Sequence, residues 1–271
     1  MRTYSADALV LRTYRYGEAD RIVVFLTEDR GKKRGVAKNA TTSRRRFGAA
    51  LESLTRGRVT YVERESRELV RLDRIEPRAT PLSAATGRPD ADAAHVLGHA
   101  AYFAELLDEW APDASPNERL FRLGAAMAEA MDGGGPATPA RVNPAAPARV
   151  LCIEALARYF EYWLLRLEGV YPALDRCPRC GMPALGDGAV LVMAERAYVC
   201  DACAHGGPRL SAEAMRFLRN AARWTPIEVS RAATPAGALR EVEQVHHRLI
   251  ALHLEKELRS ARIVKELRPQ S

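Results

Sequence analysis

Over residues 4–78 the apolar positions fall in short runs: Ala8-Leu9-Val10-Leu11, Ile22-Val23-Val24-Phe25-Leu26, Val59-Thr60-Tyr61-Val62 and Leu69-Val70-Arg71-Leu72. Gly17, Gly31, Gly48 and Gly57 separate them, and short β-branched runs punctuated by glycine predict strands joined by tight turns. Five short strands in about 75 residues suit an OB-like barrel, although pattern alone does not separate it from an SH3-like one. After Pro77 and Pro81 the period becomes helical. Val96, Ala100, Phe103, Leu107 and Trp110 share one face, as do Leu120, Leu123, Met127 and Met131, with Pro116-Asn117-Glu118 as the start of the second helix. Residues 133–148, GGGPATPARVNPAAPA, read as a linker.

Helix resumes near Arg149, with Ile153, Leu156, Ala157, Phe160, Leu164 and Leu167 at helical spacing. A cysteine module follows over about 175–205, then one helix from Ser211 to about Arg223. A long one is expected from Pro235 to Leu267, striped by Val242, Val245, Leu249 and Leu252. The expected fold is α+β: an N-terminal OB barrel over 1–80 and a helical domain over 81–174 and 207–271, interrupted by a metal module over 175–206.

Charge adds a partner to this outline. The formal net charge is +7, and residues 1–80 hold 19 Lys/Arg against 11 Asp/Glu, whereas residues 81–271 hold 22 against 23. Between Arg30 and Arg46 lie eight cations and no acid: Arg30, Lys32, Lys33, Arg34, Lys38, Arg44, Arg45 and Arg46. Interleaved Asn39, Thr41, Thr42 and Ser43 add neutral donors for phosphate oxygens. A polyanion bound by the barrel is the natural reading, against a basic face that is merely solvated. Phe47, Tyr14, Tyr16 and Tyr61 offer ring faces on which unpaired bases could stack, though each alone also suits packing.

Four of the five cysteines form two pairs, Cys177-Pro-Arg-Cys180 and Cys200-Asp-Ala-Cys203. Two such knuckles converge four thiolates on a tetrahedron, which suits Zn²⁺, and four protein ligands make the site structural. A redox pair, an empty site, or His205 in place of Cys203 are the alternatives. Cys152 reads as a small buried residue beside an apolar stripe.

Other features read as structural. His95 and His99 lack the Glu of a zincin helix, and His246, His247 and His253 lie on a helix without carboxylate partners. Glu18 and Asp20 suit a turn before a strand. The chain contains no GxxxxGK[ST], GxGxxG or GxSxG and assembles no nucleophile, base and orienter, so no enzyme is expected. No apolar run approaches the roughly 18 residues of a membrane span, and the N-terminus lacks a secretory pattern, so a cytoplasmic protein is expected.

The order of basic barrel, helical domain, CxxC–CxxC insertion and C-terminal helices resembles the RecO family of DNA-repair proteins along almost the whole chain. The most specific match is N-terminal: Ala8-Leu-Val-Leu11, Tyr16-Gly17-Glu18-Ala-Asp20-Arg-Ile-Val, Phe25-Leu-Thr27-Glu with Gly31, Val36-Ala37-Lys38 and Ser43-Arg44. Where the family usually has Gly after its Ala-Lys this chain has Asn39, a residue that tolerates left-handed backbone. Tyr102-Phe103-Ala-Glu105-Leu106-Leu107, Leu120-Phe121, Leu167-Glu-Gly169-Val-Tyr171-Pro172 and Leu258-Arg259-Ser260 extend the likeness.

The resemblance implies binding of single- and double-stranded DNA and annealing of complementary strands. It also implies a nucleoid-associated mediator role with RecR and RecF that loads RecA onto strands coated by single-stranded-DNA-binding protein. It implies contact with that protein's acidic C-terminal tail, for which Arg119, Arg122 and Arg149 are the candidate cations. A zinc-ribbon RNA-binding module is the alternative reading of the same charge and cysteines; a metal-dependent nuclease and a pure scaffold are further rivals.

Overall fold

The computed structural model describes residues 1–43, 46–64, 68–86, 89–132, 152–182, 188–256 and 258–267. The expected linker at 133–148, with Arg44, Arg45 and Arg149, lies outside the described residues. The chain forms two compact units, Met1–Arg141 with Leu258–Ser271, and Val142–Glu257. These units are cut differently from the expected domains: the first helices and the last one belong with the barrel.

In the first unit five strands, β1 (Arg2–Tyr16), β2 (Asp20–Thr27), β3 (Gly31–Ala37), β4 (Arg56–Glu63) and β5 (Val70–Ala79), pair in the order β1-β2-β3-β5-β4 and close back on β1. Only β3 and β5 meet in parallel; the other neighbours run antiparallel. This is the OB arrangement of a five-stranded barrel. Strand β1 is longer than its apolar run because its first half pairs with β4 and its second with β2, with a bulge between Val10 and Arg12.

Ala8, Val10, Val23, Phe25, Ala37, Phe47, Val59, Tyr61, Leu72 and Ile75 fill the barrel interior. The alternate residues Leu9, Val24 and Leu26 are buried as well, which makes these runs continuous rather than alternating. Helices α2 (Asp90–Trp110) and α3 (Glu118–Met131), which follow the short α1 (Pro81–Ala85), pack against β1. Packing is close at Gly124, where an added Cβ would sit 2.6 Å from Leu9 Cδ1 and 2.7 Å from Leu107 Cδ1. Asn117 caps α3 by accepting from the Leu120 N–H at 3.1 Å, as its Asn-Glu start predicts.

The second unit contains α4 (Ile153–Leu167), a small sheet of β6 (Gly188–Val192), β7 (Ala197–Val199) and β8 (Arg209–Ser211) in the order β7-β6-β8, then α5 (Ala212–Ala221), α6 (Pro226–Arg231) and α7 (Ala236–Leu254). The single helix expected over 235–267 is two. Helix α7 ends with Glu255 in left-handed backbone, φ 54°, and α8 (Arg259–Glu266) belongs to the first unit. The cause is tertiary: the Glu105 carboxylate on α2 accepts from the Ser260 N–H at 2.8 Å and the Arg259 N–H at 3.3 Å, and also from the Ser260 hydroxyl. An anion on the free N–H groups of a helix start is a favourable anchor. It joins two of the matched motifs, those at Glu105 and Ser260.

Candidate metal centre and nucleic-acid surface

The two cysteine knuckles flank the β6–β7 hairpin. In the first, the Gly181 N–H bonds the Cys177 carbonyl at 2.9 Å, with Gly181 at φ +73°; in the second, the Cys203 N–H bonds the Cys200 carbonyl at 3.0 Å. These turns aim the sulfurs of Cys177, Cys180, Cys200 and Cys203 at one point, with all four within 4.8 Å of one another. Cys180 and Cys200 Sγ are 3.7 Å apart. A tetrahedron of sulfurs at the Zn–S distance of about 2.3 Å has edges near 3.8 Å, so the donor set fits that metal. The cluster consists of these cysteines and does not include His205.

Packed together, the thiols do not share one acidity. Backbone donation from Cys200 draws Cys177 down to about 6, whereas hydrogen bonding with the neighbouring thiols pushes Cys203 up to about 12. Around the cluster, Arg179 pairs with Glu195 at 2.5 Å and donates to the Cys203 carbonyl, and Arg209 pairs with Asp201 at 2.6 Å. Strand β8 pairs with β6, so the module extends past its expected end at 206.

The basic run at 30–46 is not one open surface. Lys32, Lys33 and Arg34 lie on β3. Lys32 is only 9% exposed; its ammonium lies 3.3 Å from Asp108, 3.5 Å from Asp113 and 2.6 Å from the Asp108 carbonyl. Lys33 is turned to Glu63 at 2.9 Å. Arg30 lies over the Tyr4 ring at 3.9 Å, beside Asp29 at 3.6 Å. Arg34 is 56% exposed, with Asp113 at 3.8 Å. Lys38 is exposed and has no ion pair among the described residues. Arg46 donates to the Lys38 carbonyl at 2.6 Å and to Ser43 Oγ at 2.9 Å, which ties the loop after β3 together.

That loop turns at Asn39, φ +54°, the left-handed position at which the family has Gly. The Asn39 N–H donates to Asp20 at 2.8 Å, so Asp20 holds the turn after β3 rather than the one before β2 at which it was expected. The aromatic candidates divide. Phe47 and Tyr61 are buried in the barrel interior and offer no face for stacking, whereas Tyr14 and Tyr16 are 43% and 50% exposed. Tyr14 stands opposite Ile22, Ile22 opposite Val36 and Val36 opposite Arg71, one row across four strands. Their neighbours Val23, Ala37 and Leu72 point inward, so this row faces outward. Arg71 is also exposed, and sequence reasoning missed it because it is embedded in an apolar run. On α3, Arg119 and Arg122 are exposed, with Arg122 paired to Glu118 at 3.1 Å.

A buried charge network was not legible in the sequence. The fully buried Glu161 carboxylate on α4 takes Arg158 at 2.8 Å, His246 Nδ1 at 3.0 Å and His247 at 3.5 Å; Arg158 also meets Glu243 at 3.0 Å. His246 Nε2 and the Tyr171 hydroxyl are 3.1 Å apart. His246 and His247 therefore do have carboxylate partners: Glu161 from α4 for both, and for His247 also Glu243 on α7 itself at 3.9 Å. Burial holds the His246 pKa below its usual value, while Arg158 and the histidines bring Glu161 well below the carboxylate range against the opposing effect of its own burial. His99 is buried with its Nδ1 at 2.8 Å from the His95 carbonyl, a structural role as expected.

An OB barrel carrying helices, together with a helical unit holding a four-cysteine cluster, defines a two-unit protein of the OB-barrel class. The family model for recombination protein O, N terminal, matches residues 1–81, and that for recombination protein O, C terminal, matches residues 152–262. The chain belongs to the RecO family, whose role is in recombinational DNA repair. It is 35% identical to DNA repair protein RecO of Anaeromyxobacter sp. (strain K) over 96% of this chain and 95% of that protein. It is 33% identical to DNA repair protein RecO of Geobacter sulfurreducens over 99% of this chain and all of that protein. To DNA repair protein RecO of Koribacter versatilis it is 42% identical over 65% of this chain and 63% of that protein. Among the described residues, no helix is long and apolar enough to cross a membrane.

Proposed function

We propose that this chain is a non-enzymatic DNA-binding and strand-annealing mediator, working in the cytoplasm at the nucleoid with the barrel as its main DNA platform. The observation that carries this reading is the outward row of Tyr14, Ile22, Val36 and Arg71, flanked by exposed Arg34 and Lys38. Cations there neutralise phosphates and the tyrosines take base faces, so the pairing edges of a bound strand stay free. Screening the charge of two strands lowers the cost of bringing complements together. In the pathway the resemblance implies, the protein acts with RecR and RecF to load RecA onto strands coated by single-stranded-DNA-binding protein. That protein's acidic tail is met by cations such as Arg119 and Arg122 on α3.

The metal is Zn²⁺ in a structural role: it ties the two knuckles together, and four thiolate ligands leave no open coordination position. Binding of equal-length DNA and RNA strands, measured with and without Mg²⁺, tests the reading. DNA should bind at least as tightly as RNA, weaken as salt rises, and stay intact. A strong RNA preference, as from a 2′-hydroxyl reader, would point to the RNA-binding alternative, and Mg²⁺-dependent cleavage to a nuclease.

A further inference from the structure

Helix α5 buries Ala214, Met215, Phe217, Leu218 and Ala221, and its opposite face carries exposed Arg216, Arg219 and, one residue past the helix's C-cap, Arg223. At 100° per residue Arg216 and Arg219 lie about 60° apart on one face, a stripe that Arg223 follows in the turn after the helix. Some exposed arginines among the described residues stand beside a carboxylate, as Arg34, Arg58, Arg71, Arg74, Arg78, Arg122 and Arg209 do. Arg216, Arg219 and Arg223 have no ion pair among the described residues, although Glu213 is exposed on the first turn of the same helix. Favourable interaction with the helix C-terminus accounts for Arg219 in the last turn, but not for Arg216 in the middle.

Beside the stripe is an exposed aromatic ring. Trp224, whose N–H bonds the Asn220 carbonyl at 2.8 Å, leaves the core with 39% of its surface exposed. The α5 C-terminus also receives Trp163, whose Nε1 donates to the Ala221 carbonyl at 2.9 Å. Over Trp163 lies exposed Arg166, 5.8 Å from the ring centroid, held by Tyr162 at 2.7 Å rather than by an acid. Unneutralised guanidinium groups beside an exposed indole match what a single strand presents: phosphates at close intervals and bases with open faces.

We infer that Arg216, Arg219, Arg223 and Trp224 form a second single-stranded nucleic-acid surface, carried by the helical unit and separate from the barrel. Arginine forks hold phosphates and Trp224 takes one base face, without reading sequence. Two surfaces on one chain let it hold one strand while it presents another. That use rests on the annealing function proposed above; binding of a strand by α5 does not.

The test uses the full chain with Arg216, Arg219 and Arg223 changed to Ala, a matching triple Lys variant, and Trp224→Ala. Labelled oligothymidine and a labelled oligoglutamate peptide serve as probes, with melting and metal content as folding controls. At low salt the intact protein should bind two strands per chain and the Ala variant one. If each arginine meets one phosphate, the log–log salt slope of the lost site is about two units, worth about a hundredfold in affinity at 0.1 M salt. The Lys variant should keep most of that slope, and Trp224→Ala should weaken the site by about tenfold. Unchanged strand count, slope and annealing rate in the folded Ala variant would overturn this surface and leave the barrel reading intact. Loss of oligoglutamate binding with strand binding unchanged would overturn it in favour of an acidic protein partner. An intact protein that binds no strand at any salt would remove the proposed function itself.

Discussion

Changing Lys32 and Lys38 to Ala one at a time should separate the two roles that the basic run combines. The Lys32 ammonium lies 3.3 Å from Asp108 and 3.5 Å from Asp113 and is 9% exposed. At an effective dielectric of about 20, a pair at this distance has a gross attraction of about 5 kcal/mol. Desolvation offsets much of it, Asp113 is mostly in solvent, and Asp108 keeps Arg12 at 3.3 Å. The net loss should therefore fall below the roughly 3–5 kcal/mol typical of a broken buried pair, at about 2 kcal/mol. That lowers the melting temperature of the barrel unit by about 4–8 °C. Lys38, exposed and without an ion pair among the described residues, should change stability by less than about 0.5 kcal/mol. Its loss should shrink the single-strand salt slope by about 0.7 if it meets one phosphate. Thermal melting and fluorescence anisotropy across a salt series read both variants. If Lys32→Ala melts like the parent and takes the larger share of the slope, the division of the run into structural and binding cations is wrong.

Four further outcomes follow from the same geometry. Acidification should weaken the helical unit. A His246 pKa held below 6.5 means that stability is fully present above that value and lost as pH falls through the lower folded pKa, with Glu161 adding a second loss beginning below about pH 4.5. Glu161→Ala, which removes the carboxylate 2.8 Å from the buried Arg158, should cost about 3–5 kcal/mol by denaturant unfolding; a cost under 1 kcal/mol would contradict the network's importance. Metal analysis should find one Zn²⁺ per chain, and a strong chelator should lower the melting temperature of the helical unit while leaving the barrel's transition in place, because the binding energy contributes to folding. Replacing Tyr14 and Tyr16 together by Ala should weaken single-strand binding about tenfold or more, at about 1–3 kcal/mol per stacked base, with little change in melting; unaltered affinity would remove the stacking role.

Local patterns carried much of this fold. Glycine-separated β-branched runs marked the strands near residues 8–11, 22–26, 59–62 and 69–72, and the Asn117-Glu118 start located α3. The CxxC pairs located the four-cysteine cluster, because two knuckles need little tertiary help to converge. What remained hidden depends on distant partners. Glu105 breaks the long C-terminal helix by capturing Ser260, 155 residues away in sequence. His246 finds Glu161, 85 residues away. Lys32 is neutralised by Asp108 on α2 and by Asp113 just after it, and a linear charge count cannot distinguish it from Lys38. Phe47 and Tyr61 showed the same ambiguity, since an aromatic residue fits a barrel interior or a base face equally well until its direction is known.

The most direct test of the central claim follows annealing of complementary oligonucleotides coated with single-stranded-DNA-binding protein, across a salt series, with and without this chain. The account predicts that the chain accelerates annealing and that the acceleration declines as salt rises. It also predicts loss of activity when Arg34, Lys38 and Arg71 are changed to Ala in a protein that still melts like the parent. An annealing rate equal to that of the coated strands alone, or one unaffected by those three changes, would contradict it.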